Sequence, residues 1–236
     1  MGTLSEEHYT LLTDYDKNSA YSEAYRTLYA NMCLDGFDQR QNDHAEAPPS
    51  SQCHTLLLTT PSAYAEYATV AANLAIVAAQ SGTPTILVDA NLRAPHLQQR
   101  FGLAKTSGLS ELLAAESITP HNVAACLQTT FVPGLRLLGA GAATEQAVTL
   151  MLSPKLAEVI NSIRCLLEET GTKTSIVIFH SLPVLSGADA SLIGALVERT
   201  LLTIATGHTT RTQAKQAQEQ LEHAHVKLAG IIITDK

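Results

Sequence analysis

Polar side chains stand at the ends of three short apolar runs, where an α/β sheet would gather them at one edge. The first run ends at Thr59 and leads through Thr60–Thr69 into a long Ala-rich stretch, the second ends in Asp89 and the third in His180. Ligands of open parallel sheets bind outside the carboxyl ends of the strands. These three strand ends are therefore where we expect chemistry.

The segment after Thr59 has the setting of a phosphate-binding loop but lacks its residues. Such a loop needs glycines for close backbone approach, a lysine for the outer phosphates and a Ser or Thr for magnesium. No glycine occurs between Gly36 and Gly82. The residues present are good helix formers, and Pro61 suits a first helical turn. We therefore predict a helix that begins early, at Ala63, and a loop that has shrunk or closed.

The other two strand ends each allow two interpretations. Asp89 could meet a magnesium-bound water, or it could cap the turn that follows its strand. His180 and Ser181 could act as base and nucleophile, or they could be a polar strand end. We favour the polar strand end, because adjacent strand residues point to opposite faces and cannot easily hydrogen-bond through their side chains.

Alternating strands and helices must position these groups. The predicted strands are nearly all apolar, as expected for strands covered on both faces; they are Thr55–Thr59, Thr85–Asp89, Leu135–Leu138, Ser175–Phe179, Leu201–Ala205 and Ala229–Ile233. The predicted helices are Tyr21–Leu34, Ala63–Gln80, Leu109–Ala115, Pro154–Glu169, Ala188–Glu198 and Thr210–Ala224. The alternation predicts an α/β fold with a single doubly wound, mainly parallel sheet of the P-loop NTPase type. Residues 1–52 would form an N-terminal helical extension and mobile loop, and residues 53–236 the α/β domain.

Composition excludes several classes of function. The formal charge is −7 and the basic residues are scattered, which argues against nucleic-acid binding. The four cysteines form no metal-ligand pair, so reduced thiols in a cytoplasmic protein without a metal are expected. The N-terminus is polar and acidic, unlike a signal peptide, and no apolar run is long enough to span a membrane. Any membrane role should therefore go through a partner.

A series of segments then follows in a specific order from about Tyr21 to Lys236. They are SEAYRTLYANM, VAANLAIVAAQSG, ILVDANLRAP, FGLAKTSGLSELLA, LLGAGA, LSPKLAEVI, VIFHSLPVLSGADA and the closing ATGHTTRTQAKQAQEQLEHAHVKLAGIIITDK. In this order they resemble the cytoplasmic domain of bacterial tyrosine kinases. These P-loop proteins act with membrane polysaccharide co-polymerases in capsule and exopolysaccharide synthesis. The resemblance implies the same fold and the same cellular context.

The resemblance also shows where this chain departs from its family's phosphate loop. The lysine position holds Tyr67, the following Ser or Thr position holds Ala68, and the preceding glycine position holds Glu66. Each lost charge-assisted phosphate contact is worth about 1.5–3 kcal/mol, and the losses together come to roughly 6 kcal/mol. Micromolar affinity corresponds to only about 8 kcal/mol. We therefore expect no useful ATP affinity, no cofactor and no phosphotransfer.

The remaining family positions are altered in the same direction. The acidic motif of two Asp residues and an Arg reads Asp89, Asn91 and Arg93, so one carboxylate is missing. The position of the Walker B aspartate holds His180. The family's C-terminal tyrosine cluster, its usual phosphoacceptor, has no counterpart, since every tyrosine lies at or before Tyr67. We expect a vestigial site with no catalytic residue.

A helix N-terminus attracts negative charge, which suggests how the vestigial site could be filled. The carboxylate of Glu66 could occupy the anion site, while Tyr64 or Tyr67 fills the nucleotide cleft. The alternative is that these side chains simply face solvent.

The N-terminal helix carries a possible interaction motif. In the family, a Glu-x-x-Arg-x-x-Arg pattern on this helix supports subunit association, and here it reads Glu23, Arg26 and Tyr29. Self-association is one interpretation, and an amphipathic helix packed on its own domain is the other. Tyr9 and Tyr15 in the polar leader are candidate phosphorylation sites for another kinase.

Together these features predict a catalytically inactive relative of the polysaccharide tyrosine kinases. It would act as a cytoplasmic scaffold or regulator, docked on the cytoplasmic segments of a membrane co-polymerase or on an active kinase paralogue. One alternative is a weak residual ATP-binding kinase or ATPase that uses Asp89 and Arg93. The other is a relative of the partitioning and positioning ATPases, which the lack of a basic face and of an amphipathic tail weakens.

Overall fold

A computed structural model of the 236-residue chain describes residues 11–14, 16–34, 52–64 and 66–235. The helices are α1 Ala20–Leu34, α2 Tyr67–Gln80, α3 Leu97–Arg100, α4 Leu109–Ala114, α5 Pro120–Cys126, α6 Ala147–Met151, α7 Lys155–Glu168, α8 Asp189–Gly194 and α9 Arg211–His223. The strands are β1 Gln52–Thr59, β2 Thr85–Ala90, β3 Leu127–Thr129, β4 Leu135–Leu138, β5 Thr174–Ser181, β6 Arg199–Ala205 and β7 Leu228–Thr234. The predicted mobile loop before Gln52 lies outside the described residues, as do Tyr9 and Tyr15.

The strands form a seven-stranded sheet in the order β3-β4-β2-β5-β1-β6-β7. Every neighbouring pair is parallel except β3 and β4, which pair antiparallel. The predicted P-loop type of α/β fold is confirmed. From β1 the chain continues to β2 on one side of the sheet, and from β5 it continues to β6 on the other side. Open α/β sheets bind ligands at such a topological switch point.

Side chains from alternate strand positions enter two separate cores, one on each face of the sheet. Leu56 and Leu58 of β1 pack with α1 and α2, whereas Leu57 packs on the opposite face with residues of α4 to α9. This alternation follows from the two-residue period of a strand. It explains why the central strands are apolar throughout their length, as predicted.

Strand β7 departs from that prediction. It pairs with β6 and lies at the end of the sheet, and its side chains alternate between half-buried and exposed. Ile231 is 52% exposed and Ile233 is 71% exposed. The expectation that this strand is covered on both faces is therefore wrong for the described residues.

Helix α1 packs on its own domain. Tyr25, Tyr29 and Met32 are buried in the same core as α2. The hydroxyls of Tyr29 and Thr83 share a hydrogen bond of 2.6 Å, and the side-chain amide of Asn73 donates to Tyr21 at 2.9 Å. The extension is thus tied to α2 by both apolar and polar contacts. Within the described part of the chain, no helix is long and apolar enough to cross a membrane.

Candidate functional site

The three predicted strand ends meet at the carboxyl edge of the sheet. His180 of β5 lies in register between Leu58 of β1 and Asp89 of β2. Strand β1 ends at Thr59 and helix α2 begins at Tyr67. Residues 60–66 therefore connect them where a phosphate loop would lie.

The predicted early helix start at Ala63 is wrong, because α2 begins at Tyr67. The carbonyl of Thr60 accepts a hydrogen bond from the N–H of Val184 at 2.8 Å, and that of Pro61 accepts from Leu185 at 3.2 Å. These contacts anchor the first residues after β1 to the segment that follows β5. Among the described non-glycine residues only His225 has a positive φ, so the described part of the loop lacks the backbone conformation that cradles phosphate.

Tyr67 lies within this edge rather than facing solvent. The side-chain amide of Asn91 donates to its hydroxyl at 2.9 Å, and its ring centroid is 4.9 Å from that of His180. Burial raises the pKa of Tyr67 to about 12, with Asp89 adding to the effect. The phenol is therefore neutral and already engaged at physiological pH.

His180 is fully buried and uncharged. Burial, together with the nearby guanidinium of Arg100, lowers the pKa of His180 to about 3. Its Nε2 has no hydrogen-bond partner among the described residues. The hydroxyl of Ser181 donates to the carbonyl of Leu182 at 3.0 Å. These contacts fit a polar strand end and not a base–nucleophile pair.

Asp89 caps the turn that follows β2. Its carboxylate accepts backbone hydrogen bonds from Asn91 at 3.2 Å and from His96 and Leu97 at 3.0 Å each. Burial raises the pKa of Asp89 to about 6, and these hydrogen bonds and Arg100 oppose the shift. Of the two interpretations left open by the sequence, the structure shows the turn cap.

Two functional-looking residues were missed by sequence reasoning. Arg100 is buried near Asp89, and its guanidinium donates to the Thr69 hydroxyl at 2.6 Å. Asp189 is buried at the start of α8 and pairs with Arg93 at 3.6 Å. An acidic residue in a first helical turn is a weak signal for Asp189, but no spacing in the sequence indicates Arg100.

The structure places Glu66 and Ala68 in different environments. Ala68 is buried within α2 and carries no hydroxyl for magnesium. Glu66 is exposed at the N-cap position, and its side chain makes no capping hydrogen bond. Of the two alternatives that the sequence left open for Glu66, its exposure matches the side chain that faces solvent. The alternative in which Tyr64 or Tyr67 fills the cleft agrees better with the structure, because Tyr67 lies within the edge.

A row of aromatic rings extends from Tyr67 along the edge. The Tyr64 centroid is 5.9 Å from that of Tyr67 and 6.5 Å from that of His208, whose ring is inclined to it by only 21°. Only about 60 Å³ of space remains in the cavity that Tyr64 and His208 line. In the described ranges no group of three His, Cys, Asp or Glu residues could hold a metal ion.

On helix α1, the predicted interaction residues lie partly at the surface and partly in the core. The side chains of Glu23 and Arg26 form an ion pair of 3.3 Å near the surface. Tyr29 is 8% exposed and bonded to Thr83. This placement does not fit an interaction role for Tyr29.

Comparison with known proteins places the chain in a family. No protein-family model matches the sequence. The tyrosine-protein kinase YwqD of Bacillus subtilis is 30% identical over 223 residues, which cover 94% of this chain and 84% of YwqD. The chain belongs to the bacterial tyrosine kinase family.

Solved structures agree on the fold. The chimerical protein CapA2B2 superposes with a TM-score of 0.78 at 23% identity, covering 96% of this chain and 90% of that one. The septum site-determining protein MinD of Pyrococcus horikoshii, complexed with Mg-ADP, gives 0.60 at 18% identity, over 77% of this chain and 70% of that one. Both proteins thus share the sheet architecture of this chain.

Three of the positions singled out by the family resemblance hold neutral side chains that contact one another. The positions that the resemblance matches to a lysine and two aspartates hold Tyr67, Asn91 and His180, and these three side chains contact one another in a chain. All three are neutral at physiological pH. The arrangement buries aromatic surface, and the guanidiniums nearby are engaged within the chain: Arg93 pairs with Asp189, and Arg100 donates to the Thr69 hydroxyl.

Proposed function

We propose that the chain is a catalytically inactive bacterial tyrosine kinase that acts as a scaffold or regulator of exopolysaccharide or capsule synthesis. The observation that carries the proposal is the contact of Tyr67 with Asn91 and His180, because it fills the phosphate-binding position with neutral groups. A phosphate entering here would meet no lysine and would have to displace the bond between Tyr67 and Asn91. Glu66, exposed beside the cleft, would repel it further.

The weak residual enzyme is the less favoured candidate. It requires Asp89 to face magnesium, but both oxygens of its carboxylate accept backbone hydrogen bonds. It also requires Arg93 to face a nucleotide, but Arg93 pairs with Asp189. The partitioning ATPase alternative draws on a likeness of fold to MinD, which carries no information about activity.

A phosphotransfer assay tests the inactivity. The purified chain is incubated with Mg-ATP and a tyrosine-containing peptide, and phosphotyrosine is measured by mass spectrometry. We expect none on the peptide or on the chain. Phosphotyrosine formed in proportion to chain concentration, and lost in an Asp89→Asn variant that still folds, would overturn the proposal.

A pull-down tests the scaffold role. The baits are the cytoplasmic segments of a membrane co-polymerase, as the CapA2B2 chimera suggests, and an active kinase paralogue. We propose a cytoplasmic protein recruited to the membrane by one of them, and expect capture that does not depend on added Mg-ATP. Failure of both baits to retain the chain would remove this role while leaving the inactivity intact.

A further inference from the structure

A cavity of about 550 Å³ lies at the opposite, amino edge of the sheet, away from the vestigial site. It is bounded by the start of β2, the turn between β3 and β4, and the end of α7. Its volume is within the range of about 300–1,000 Å³ that is usual for small-molecule sites. The cavity therefore has room for a ligand.

Arg136 of β4 gives this cavity its chemistry. Its register partner Ile86 and its strand neighbour Leu138 are fully buried in one core, so Arg136 occupies a position that faces the same core. Burial lowers the pKa of the Arg136 guanidinium. No hydrogen bond or ion pair of this guanidinium occurs within the described ranges. Among the residues that the structure describes, this half-buried charge has no carboxylate within ion-pair distance.

The neighbouring polar groups do not supply one. The hydroxyls of Thr85 and Thr170 donate to the carbonyls of Thr83 and Leu167, each a residue near in sequence. Glu169 lines the cavity but is exposed and forms no ion pair with Arg136 in the described structure. The guanidinium is thus the cationic donor of the cavity, and what it lacks is an anionic acceptor.

We propose that the cavity binds a ligand through a carboxylate that pairs with Arg136. A planar carboxylate matches the fork of a guanidinium with two parallel hydrogen bonds. One cation, with Glu169 at the rim, suits one negative charge better than a multiply charged phosphate. Pro84, Val132 and Leu166 offer apolar walls to the body of the ligand. The carboxylate comes from a free organic acid or from an acidic side chain of a polypeptide.

Binding is measured by NMR titration of the full chain with two probe pairs. Benzoate is compared with neutral benzamide, and an N-acetylated hexapeptide with a central Glu is compared with its Gln counterpart. We expect at least one acidic probe to bind about tenfold or more tightly than its neutral counterpart. Benzoate alone identifies a free acid as the source, the Glu peptide alone a polypeptide, and both the carboxylate itself. No binding of either acid at millimolar concentration overturns the proposal.

Substitutions locate the contact. Arg136→Gln should weaken the acidic probe about tenfold or more, whereas Arg211→Gln, on the exposed start of α9, should leave it unchanged. Equal weakening by both variants, or none by Arg136→Gln, contradicts the assignment.

A stability measurement separates ligand binding from a structural role. Since Arg136 has no partner to lose within the described residues, Arg136→Met should unfold at the same temperature as the wild type or higher. Addition of the acidic probe should then raise the Tm of the wild type and not that of the variant. A Tm several degrees lower in Arg136→Met without ligand would assign the arginine to the fold and overturn the proposal.

Discussion

The two edges of the sheet differ in how most of their polar groups are partnered. At the carboxyl edge, Tyr67, Asn91 and Asp89 find partners within the chain, whereas the Nε2 of His180 and the Tyr64 hydroxyl have none among the described residues. At the amino edge, Arg136 lies over an open cavity without a partner in the described residues. The comparison teaches that the fold alone does not locate a working site. What differs is whether a ligand would satisfy a polar group or displace an existing contact.

The largest effect should come from restoring a charge at the carboxyl edge. His180→Asp places a buried carboxylate in register with Asp89 and supplies no cation, so it should cost on the order of 3–5 kcal/mol of unfolding free energy. Urea denaturation at pH 8, with His180→Asn as control, measures it. If magnesium restores the lost stability, a metal site survives and the contrast between the edges fails.

The pH dependence of His180 should be nearly as large. The folded pKa, about 3, lies below the unfolded value of 6.5, so the folded state resists protonation and the residue destabilises the fold in acid. The unfolding free energy of the wild type minus that of His180→Gln should therefore rise by on the order of 3 kcal/mol from about pH 4 to 6.5. Denaturation of both proteins across this window checks it. A difference that is constant with pH would mean that His180 is not buried as described.

Removing the hydroxyl from each of two tyrosines at the carboxyl edge should have a smaller effect on stability, and a different one for each tyrosine. Tyr67→Phe leaves the amide of buried Asn91 without its partner and should cost about 1–2 kcal/mol. Tyr64→Phe is the matched control, because the Tyr64 hydroxyl is buried with no hydrogen-bond partner in the described structure. It should be neutral or slightly stabilising. Equal losses in thermal unfolding would show that the Tyr67–Asn91 bond contributes nothing special.

The smallest effect should come from the surface of α1. Arg26 pairs with Glu23 and donates to the Lys17 carbonyl at 2.7 Å, and both contacts are exposed, so Arg26→Gln should change stability by less than about 1 kcal/mol. Analytical ultracentrifugation of the same variant also tests the self-association suggested by the sequence. A wild-type oligomer that dissociates in Arg26→Gln would restore an interaction role to this helix.

The sequence was most informative where structure depends on local patterns. Apolar runs located the six longer strands, but β3, only Leu127–Thr129, is too short and too polar to show as a run. The contacts of Thr60 and Pro61 could not be predicted, because their backbone partners lie far away in sequence, beyond β5. The same reason hid the bond between Tyr67 and Asn91. Residue types predicted an altered site, but the contact of Tyr67 with Asn91 and His180 depends on how the fold brings three separate segments together.

Binding of Mg-ATP tests the central claim most directly. A ligand at about a hundred times its Kd stabilises a protein by about 2.7 kcal/mol, which corresponds to roughly 5–10 °C in Tm for a domain of this size. Thermal unfolding is measured with about 1 mM Mg-ATP, with Mg-ADP, and with magnesium and tripolyphosphate as the ionic control. We predict that neither nucleotide raises the Tm above the control. A saturable rise of several degrees with either nucleotide would contradict the account of a site filled by its own side chains.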